Sequence, residues 1–152
     1  MLQKGEQFPD FELTNQDGKV ITKASLKGQK TILYFYSRDN TPTCTTEACD
    51  FRDNLAYFNN LKVSVYGISG DSQRKHQNFI KKHNLNFDLL VDEAYKLSEA
   101  VGVYQLKKSF GKTSMGIVRT TFILDENGDV LDVIEKVKVK EQMAKLKAIL
   151  EG

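Results

Sequence analysis

The sequence predicts an α/β protein with a mixed central sheet that is flanked by helices. Segments rich in β-branched and aromatic residues alternate along the chain with segments of helical periodicity. Such alternation is typical of parallel strands that are covered on both faces by helices. A hairpin pattern at the amino terminus and a strand–strand–helix pattern at the carboxyl terminus add antiparallel strands, so we expect a mixed sheet.

The first elements are an N-terminal β-hairpin, a buried strand and a helix. Residues 11–13 and 20–21 flank Asp17-Gly18, and an Asp-Gly pair between short apolar segments is typical of a hairpin. Residues 31–36 (TILYFY) are mostly β-branched and aromatic, which predicts a buried strand. A helix is predicted next, because apolar residues recur there in steps of four and three. The residues that share its apolar face are Cys44, Ala48, Phe51, Leu55 and Phe58.

The rest of the chain continues the alternation. A strand at residues 63–69, a polar helix at 72–84, a short strand at 87–91 and a short helix at 94–101 are predicted in this order. Two further strands and a last helix complete the chain, and an Asn-Gly pair between these strands favours a tight turn. The two strands are predicted at residues 117–124 and 130–137, and the apolar positions of the last helix are Val139, Met143, Leu146 and Leu150.

Length and composition favour one domain that covers residues 1–152. The 22 lysines and arginines nearly balance the 20 aspartates and glutamates, and the net charge of +2 argues against nucleic acid or an anionic membrane as a partner. No apolar segment reaches the roughly 20 residues that a membrane-spanning helix needs. Because the first residues also lack the pattern of a secretory signal, we expect a cytoplasmic protein.

The two cysteines, Cys44 and Cys49, lie five positions apart in one predicted helix. A permanent disulfide is disfavoured in a reducing compartment, where paired cysteines indicate catalysis, redox sensing or metal binding. The two thiols diverge on the helix, and His76 and His83 lie on a different polar helix where we expect them to be solvated, so we expect no metal and no cofactor. Small apolar packing residues are the alternative interpretation of both cysteines.

The helix entrance favours ionisation of the first thiol. Thr41 fits the N-cap position, where its hydroxyl can accept from free backbone amides, and Pro42 fits the first helical position. Cys44 is then the third helical residue, among amides that lack intrahelical acceptors and at the positive end of the helix dipole. Reactive cysteines in such settings have pKa values of about 3.5 to 7.5, against about 8.5 for a free cysteine. We therefore expect a lowered pKa for Cys44.

Helix geometry keeps the two cysteines apart. Residues five apart on an ideal helix are separated by about 7.5 Å of rise and about 140° of rotation, which places their Cα atoms about 8.6 Å from each other. A disulfide requires a Cα separation of about 4.4 to 6.8 Å. Cys44 and Cys49 can therefore bond only if the first turns of the helix unwind.

Three segments of the chain resemble a known family. The segment YFYSRDNTPTCTTEACDFRD resembles the active-site region of peroxiredoxins, in the bacterioferritin comigratory protein or peroxiredoxin Q branch. The segment GIVRTTFILDENGDV is similar to the family's strand that carries an active-site arginine, and FPDFELTNQDGKVITKASLKGQKTILYFY is similar to its opening. The positions that match the family are Thr41, Cys44, Glu47, Cys49 and Arg119.

The resemblance implies a thioredoxin-like fold and a peroxidase that reduces hydrogen peroxide or an organic hydroperoxide. Cys44 would attack the peroxide and become a sulfenic acid, Cys49 would resolve it as a disulfide, and thioredoxin or a similar dithiol would reduce that disulfide. Arg119, Thr41 and the amides of Thr43 and Cys44 would stabilise the peroxide oxygens. The branch is often monomeric, which implies a monomer here.

Several residues keep a second interpretation. Without the resemblance, Arg119 would fit an outward-facing strand position, and Thr41 would fit a cap with no further role. Glu47 either orients its neighbours or only places a charge in the first turn. Ser37 departs from the family, which has a proline here that shields the thiol from solvent, and we expect this change to tune the rate or the overoxidation. Residues 34–36 are expected in the core, with Met115 and Phe110 as candidates for the border of the pocket.

Two other classes of protein also use cysteine pairs. A redox sensor would use a disulfide between Cys44 and Cys49 to change its binding partners. A disulfide reductase of the thioredoxin type would favour a Cys-x-x-Cys spacing, whereas four residues separate the two cysteines here. We therefore favour a peroxidase over a sensor, and both over a reductase.

Overall fold

The computed structural model describes residues 1–152, apart from the side chain of Ser109. The strands β1 to β9 are Glu12–Thr14, Val20–Thr22, Lys30–Phe35, Val63–Ser69, Asp88–Val91, Tyr104–Ser109, Lys112–Ile117, Thr120–Leu124 and Val130–Ile134. The helices α1 to α5 are Lys23–Leu26, Pro42–Asn60, Gln73–His83, Lys96–Val101 and Val139–Glu151. A 3₁₀ turn at Glu93–Tyr95 leads into α4.

The main sheet is mixed, as the sequence predicts. Its strand order is β2-β1-β5-β4-β3-β8-β9. The central strands β3, β4 and β5 are parallel, and β1 and β8 pair with them in the antiparallel direction. The N-terminal hairpin of β1 and β2 is confirmed, with Gly18 in its turn at a φ of 78°. Because β3 lies in the middle of the sheet, the loop that follows it opens at the edge where α/β proteins place their functional groups.

Alternate side chains of β3 enter two separate apolar layers. Ile32, Tyr34 and Tyr36 pack under α2, α3 and α5, whereas Leu33 and Phe35 pack on the opposite face with α1 and α4. This alternation follows from the two-residue period of a strand. All five predicted apolar positions of α2 are buried in the first layer. Each large apolar side chain buried in this way contributes about 1.5–3 kcal/mol, which fixes α2 firmly against the sheet.

The region after α4 differs from the prediction. The strand predicted at residues 117–124 begins only at Thr120, because Ile117 ends β7 in a separate ribbon formed by β6 and β7. This ribbon is rich in lysine, serine and threonine, and its polar composition hides the alternation of a strand. The strand predicted at 130–137 ends at Ile134. The helix predicted at 94–101 is divided into the 3₁₀ turn and α4, because Ala94 and Tyr95 have positive φ angles.

The two histidines of α3 have different surroundings. We expected both to be solvated, which is wrong for His76, whose side chain is 0% exposed. His83 is half-buried and its ring packs against the edge of Phe79. A buried imidazole requires polar partners, and those of His76 come from segments that lie far away in the sequence. The polar composition of the helix alone therefore could not show that His76 is buried and His83 is only half-buried.

Within the described residues, the helices are all too short or too polar to cross a membrane.

Gly67 on β4 provides a test of the close packing under α2. It lies opposite Tyr34 in the sheet, and a Cβ atom at Gly67 would lie 2.8 Å from side-chain atoms of both Tyr34 and Leu89. Gly67→Ala should therefore lower the free energy of unfolding by about 1–3 kcal/mol, measured by chemical denaturation. Gly116→Ala is the control, since its nearest neighbour is the flexible side chain of Lys107. Equal stability of both variants would contradict this account of the packing.

Candidate active site

The first turn of α2 begins where the sequence predicts it. Thr41 is the N-cap residue with extended backbone angles (φ −77°, ψ 149°), and Pro42 is the first helical residue. Proline suits this position because its fixed φ is already helical and no amide donor is lost from the helix. Cys44 is consequently the third helical residue, on the face of α2 that packs against β3.

The side chain of Thr41 does not cap the helix as predicted. Its hydroxyl instead donates to the backbone carbonyl of Arg38 at 3.0 Å. This hydrogen bond links Arg38 and Thr41 within the loop that leads from β3 into α2. Rotation of the O–H bond alone would turn the same proton towards Cys44, so Thr41 can support the loop and the sulfur in turn.

The sulfur of Cys44 is buried but has polar partners. The side chain of Cys44 is 1% exposed. Arg119 Nη2 donates to Cys44 Sγ at 3.2 Å, and Ser37 Oγ lies 3.5 Å from the same sulfur. Arg119 lies in the short loop between β7 and β8. Its contact with the sulfur shows that the side chain faces inward, although the strand pattern in the sequence also fitted an outward position.

These partners give Cys44 a lowered pKa, in the predicted direction. Burial of the sulfur acts to raise its pKa, but hydrogen bonds from the Thr41 hydroxyl, the Arg38 backbone amide, the Ser37 hydroxyl and Arg119 outweigh burial and bring the pKa below the ordinary value. Cys44 therefore ionises more readily than an ordinary cysteine, although its side chain is buried. The Arg38 amide was not anticipated from the sequence, because a backbone group leaves no signal in the residue pattern.

A buried carboxylate orients Arg119. Glu47 is 0% exposed and accepts from Arg119 Nη1 at 2.5 Å and from Gln142 Nε2 at 2.8 Å. The guanidinium thus bridges Glu47 and the sulfur of Cys44 with two different nitrogens. Burial raises the pKa of Glu47, and the positive charge of Arg119 and the Gln142 amide offset part of this effect. Of the two roles considered for Glu47, this geometry supports the orienting one.

Gln142 on α5 was not anticipated, although the sequence contains a signal for it. It is 1% exposed, and its carbonyl accepts from the hydroxyl of Thr121 on β8. Gln142 lies three residues after Val139 and four before Leu146, on the apolar face of a helix. A polar residue in such a position indicates a buried hydrogen-bond network.

Cys49 lies in the same unbroken helix as Cys44. Among the described residues both cysteines are free, and Cys49 is half-buried. Because α2 is continuous from Pro42 to Asn60, the helical separation of the two Cα atoms applies, and it exceeds what a disulfide allows.

A small cavity lies beside Ser37, whose hydroxyl contacts the sulfur of Cys44. Its volume is about 250 Å³, and Ser37, Tyr95, Tyr104 and Met115 contribute to its walls. Tyr95 and Tyr104 stack with ring centroids 4.5 Å apart, which gives the cavity a flat aromatic wall. Met115 thus lines the same cavity as Ser37, whereas Phe110 lies at the turn of the ribbon and is fully exposed.

The remaining candidate residues lie outside this space. Pro42 and Thr43 are exposed and line a different cavity, of about 430 Å³, between the first turns of α2 and α5. The side chains at positions 34–36 are buried in the core, as predicted. The polar groups around the sulfur therefore come from two loops and two helices: the loop after β3, the loop before β8, α2 and, through Glu47, α5.

A buried thiol with a lowered pKa beside an oriented arginine, on a mixed α/β sheet, is the arrangement of a thiol-dependent peroxidase. Residues 4–133 match the model of the AhpC/TSA family. The chain belongs to this family, and within it to the bacterioferritin comigratory protein or peroxiredoxin Q branch of the peroxiredoxins.

Relatives in sequence and in structure support this assignment. The chain is 48% identical over 143 residues to peroxiredoxin Bcp of Bacillus subtilis, covering 94% of this chain and 91% of the relative. It is 39% identical over 137 residues to peroxiredoxin Bcp of Escherichia coli, with coverages of 90% and 88%. The bacterioferritin comigratory protein of Xanthomonas campestris, studied for its alkyl peroxide reduction activity, matches with a TM-score of 0.88 at 34% identity, covering 93% and 90% of the two chains. The thioredoxin-like fold implied by the resemblance is thereby confirmed.

Removal of the arginine should raise the pKa of Cys44. Arg119→Met keeps the length of the side chain but removes its charge and its donors, so the thiolate loses one of its hydrogen-bond partners and the one that carries a positive charge. The pKa is measured from the pH dependence of alkylation by iodoacetamide, in a Cys49→Ser background that leaves one thiol. Arg74→Met, at an exposed position on α3, should leave the pKa of Cys44 unchanged. An unchanged pKa of Cys44 in Arg119→Met would show that Arg119 does not stabilise the thiolate.

Removal of the Ser37 hydroxyl should act in the same direction. Ser37→Ala deletes one donor to the sulfur without adding bulk, so the pKa of Cys44 should rise. The same alkylation experiment measures this change, with Ser64→Ala as the control. If Ser37→Ala left the pKa where it is, Ser37 would only fill the position that proline occupies in the family.

Proposed function

We propose that this peroxidase reduces hydrogen peroxide and organic hydroperoxides through Cys44 as the attacking thiolate and Cys49 as the resolving thiol. The observation that carries the proposal is the contact of 3.2 Å from Arg119 Nη2 to Cys44 Sγ, at a sulfur whose pKa is lowered. The alkyl peroxide reduction activity of the Xanthomonas campestris relative supports the inclusion of organic hydroperoxides.

In the first step, the thiolate of Cys44 attacks the terminal oxygen of the peroxide. An S–O bond forms, the O–O bond breaks, and the leaving oxygen takes up a proton to depart as water or alcohol, which leaves a sulfenic acid. Negative charge moves from sulfur to oxygen during this step. Arg119, the Thr41 hydroxyl and the amides of Thr43 and Cys44 would donate hydrogen bonds to that charge, with the Thr41 hydroxyl turning away from the Arg38 carbonyl to do so. Stabilisation of this kind is the largest contribution to the rate in many enzymes.

In the second step, Cys49 attacks the sulfur of the sulfenic acid. A disulfide forms and the sulfenic oxygen leaves as water. The first turns of α2 must unwind for this step, because the helix holds the two Cα atoms about 8.6 Å apart. The same segment therefore has two tasks, since it activates Cys44 when helical and brings Cys49 to it when unwound.

A dithiol completes the cycle by thiol–disulfide exchange, and we propose thioredoxin for this role. Cys49 is half-buried in the helical state, so unwinding would expose the disulfide to an external thiolate. We also propose that the chain acts in the cytoplasm as a monomer with one domain over residues 1–152. Its nearly balanced charge argues against nucleic acid or an anionic membrane as a partner.

Replacement of each cysteine in turn separates the two steps. Cys44→Ser should abolish peroxide consumption, because no thiolate remains at the site. Cys49→Ser should retain one oxidation per chain and then stop, because the sulfenic acid has no partner within the chain. Consumption is measured with thioredoxin, thioredoxin reductase and NADPH, and the single oxidation by mass spectrometry.

Two results would contradict these assignments. If Cys49→Ser turned over with thioredoxin as fast as the parent, Cys49 would not be the resolving thiol. If the parent protein gave only one oxidation per chain with the complete reducing system, the redox-sensor interpretation would replace the enzymatic one.

A further inference from the structure

A buried cluster of hydrogen bonds lies next to the site, around Asp39. His76 Nδ1 lies 2.7 Å from Asp39 Oδ2, and the hydroxyl of Tyr36 donates to Asp39 Oδ1 at 2.5 Å. The backbone amide of Asp39 donates to Asp71 Oδ2 at 2.8 Å, and Asp71 also accepts from the Ser69 hydroxyl. The side chains of this cluster are at least nine-tenths buried. The cluster ties the loop after β3 to the ends of β4 and to α3.

The hydrogen bonds of His76 define where its protons lie. His76 Nε2 lies 2.9 Å from the backbone carbonyl oxygen of Leu90, which can only accept, so Nε2 carries a proton. A second proton lies between Nδ1 and the carboxyl of Asp39, since two lone pairs would otherwise face each other. The ligand atoms of Asp39, Asp71 and His76 lie within 4.8 Å of one another, but these hydrogen bonds already engage them. The cluster is therefore an anchor for the backbone and is explained without a metal.

The anchored loop supplies donors to the reactive sulfur. Asp39 directly follows Ser37 and Arg38, whose hydroxyl and backbone amide are hydrogen-bond partners of Cys44. The next residue, Asn40, has a φ of 65°, a left-handed conformation that asparagine adopts more readily than most residues. Asp39 is the only one of residues 37–40 that is buried, so its side chain is the point at which this loop is attached. Loss of the attachment at Asp39 would release both donors from the sulfur.

We propose that His76 is a positioning residue for the peroxidase reaction, because through Asp39 it holds the loop that presents Ser37 and Arg38 to Cys44. This inference rests on the proposed function of Cys44 as the attacking thiol. His76 itself touches neither the sulfur nor the cavity beside Ser37 in the described structure. Its contribution is to fix the geometry of groups that do, and small errors in such geometry are costly for the rate.

Two variants of His76 separate this role from general stability. The side-chain amide of asparagine replaces Nδ1 of histidine in space, so His76→Asn keeps the hydrogen bond to Asp39 and loses the one to Leu90. The amide of glutamine replaces Nε2, so His76→Gln keeps the bond to Leu90 and loses the one to Asp39. Each variant removes the ring and one buried hydrogen bond, so both should lower the melting temperature by similar amounts.

The two variants should differ at the sulfur. In His76→Gln the pKa of Cys44 should rise and the rate constant for its oxidation by hydrogen peroxide should fall at least about tenfold. In His76→Asn both values should stay close to those of the parent, with the rate constant within about threefold. The pKa is measured by iodoacetamide alkylation in a Cys49→Ser background, and the rate constant by stopped-flow mixing with peroxide. His83→Gln and His83→Asn on the same helix are matched controls that should change neither value.

Each outcome decides a separate question. If His76→Gln and His76→Asn gave the same pKa and the same rate constant, the positioning role would be wrong and His76 would act only in stability. If His76→Gln did not fold, Asp39→Ala removes the group through which His76 acts, and an unchanged pKa of Cys44 there would equally overturn the proposal. The alkylation experiment needs no peroxide, so a failure of the parent protein to reduce peroxide would contradict the proposed function without deciding the role of His76.

Discussion

The burial of the Cys44 sulfur is the constraint on which the rest of the site depends. A thiolate that is 1% exposed has lost its hydration, and burial by itself favours the neutral thiol. The surrounding donors must therefore replace water, and Arg119, Ser37 and the backbone amide of Arg38 do so. In return, the low-dielectric surroundings strengthen each of these interactions and hold the donors ready for the charge that develops on peroxide oxygen.

This requirement explains why the polar groups extend far beyond the sulfur. Arg119 is held by Glu47, Glu47 is held by Gln142, and Gln142 is joined to Thr121, so the chain of hydrogen bonds runs from the sulfur to α5 and β8. On the other side, the loop after β3 is fastened through Asp39 to α3. A buried polar group without a hydrogen-bond partner lowers the stability of the protein, and in these networks each group supplies a hydrogen-bond partner to the next. The entrance of α2 thereby lies between two buried networks, one on each side of the thiol.

The prediction of the elements succeeded where apolar periodicity is strong and failed where polar composition hides it. The steps of four and three between Cys44 and Phe58 identify α2, and all five residues are buried. The ribbon of β6 and β7 was not predicted, because residues 105–108 and 112–115 are all exposed and mostly polar and its strands pair only with each other. Ala94 and Tyr95 divide a predicted helix at positive φ angles that no residue type there would indicate. Thr41 occupies the predicted cap position, yet its hydroxyl donates to the Arg38 carbonyl and accepts from no amide of the first turn, because the conformation of the loop decides which groups it meets.

The sequence by itself determined the helix entrance, the place of Cys44 within its first turn, and the separation of Cys44 from Cys49, because these follow from local backbone geometry and from spacing. The resemblance to the peroxiredoxin family added Arg119 as a partner. The tertiary structure alone decided which groups replace water around the sulfur, and it made His76 a buried residue and Gln142 a member of the site. Those residues lie 32 and 98 positions after Cys44, and their partners are brought to them only when the sheet and the helices pack. Hydrogen bonds between distant residues depend on that packing and leave no local pattern from which they could be predicted.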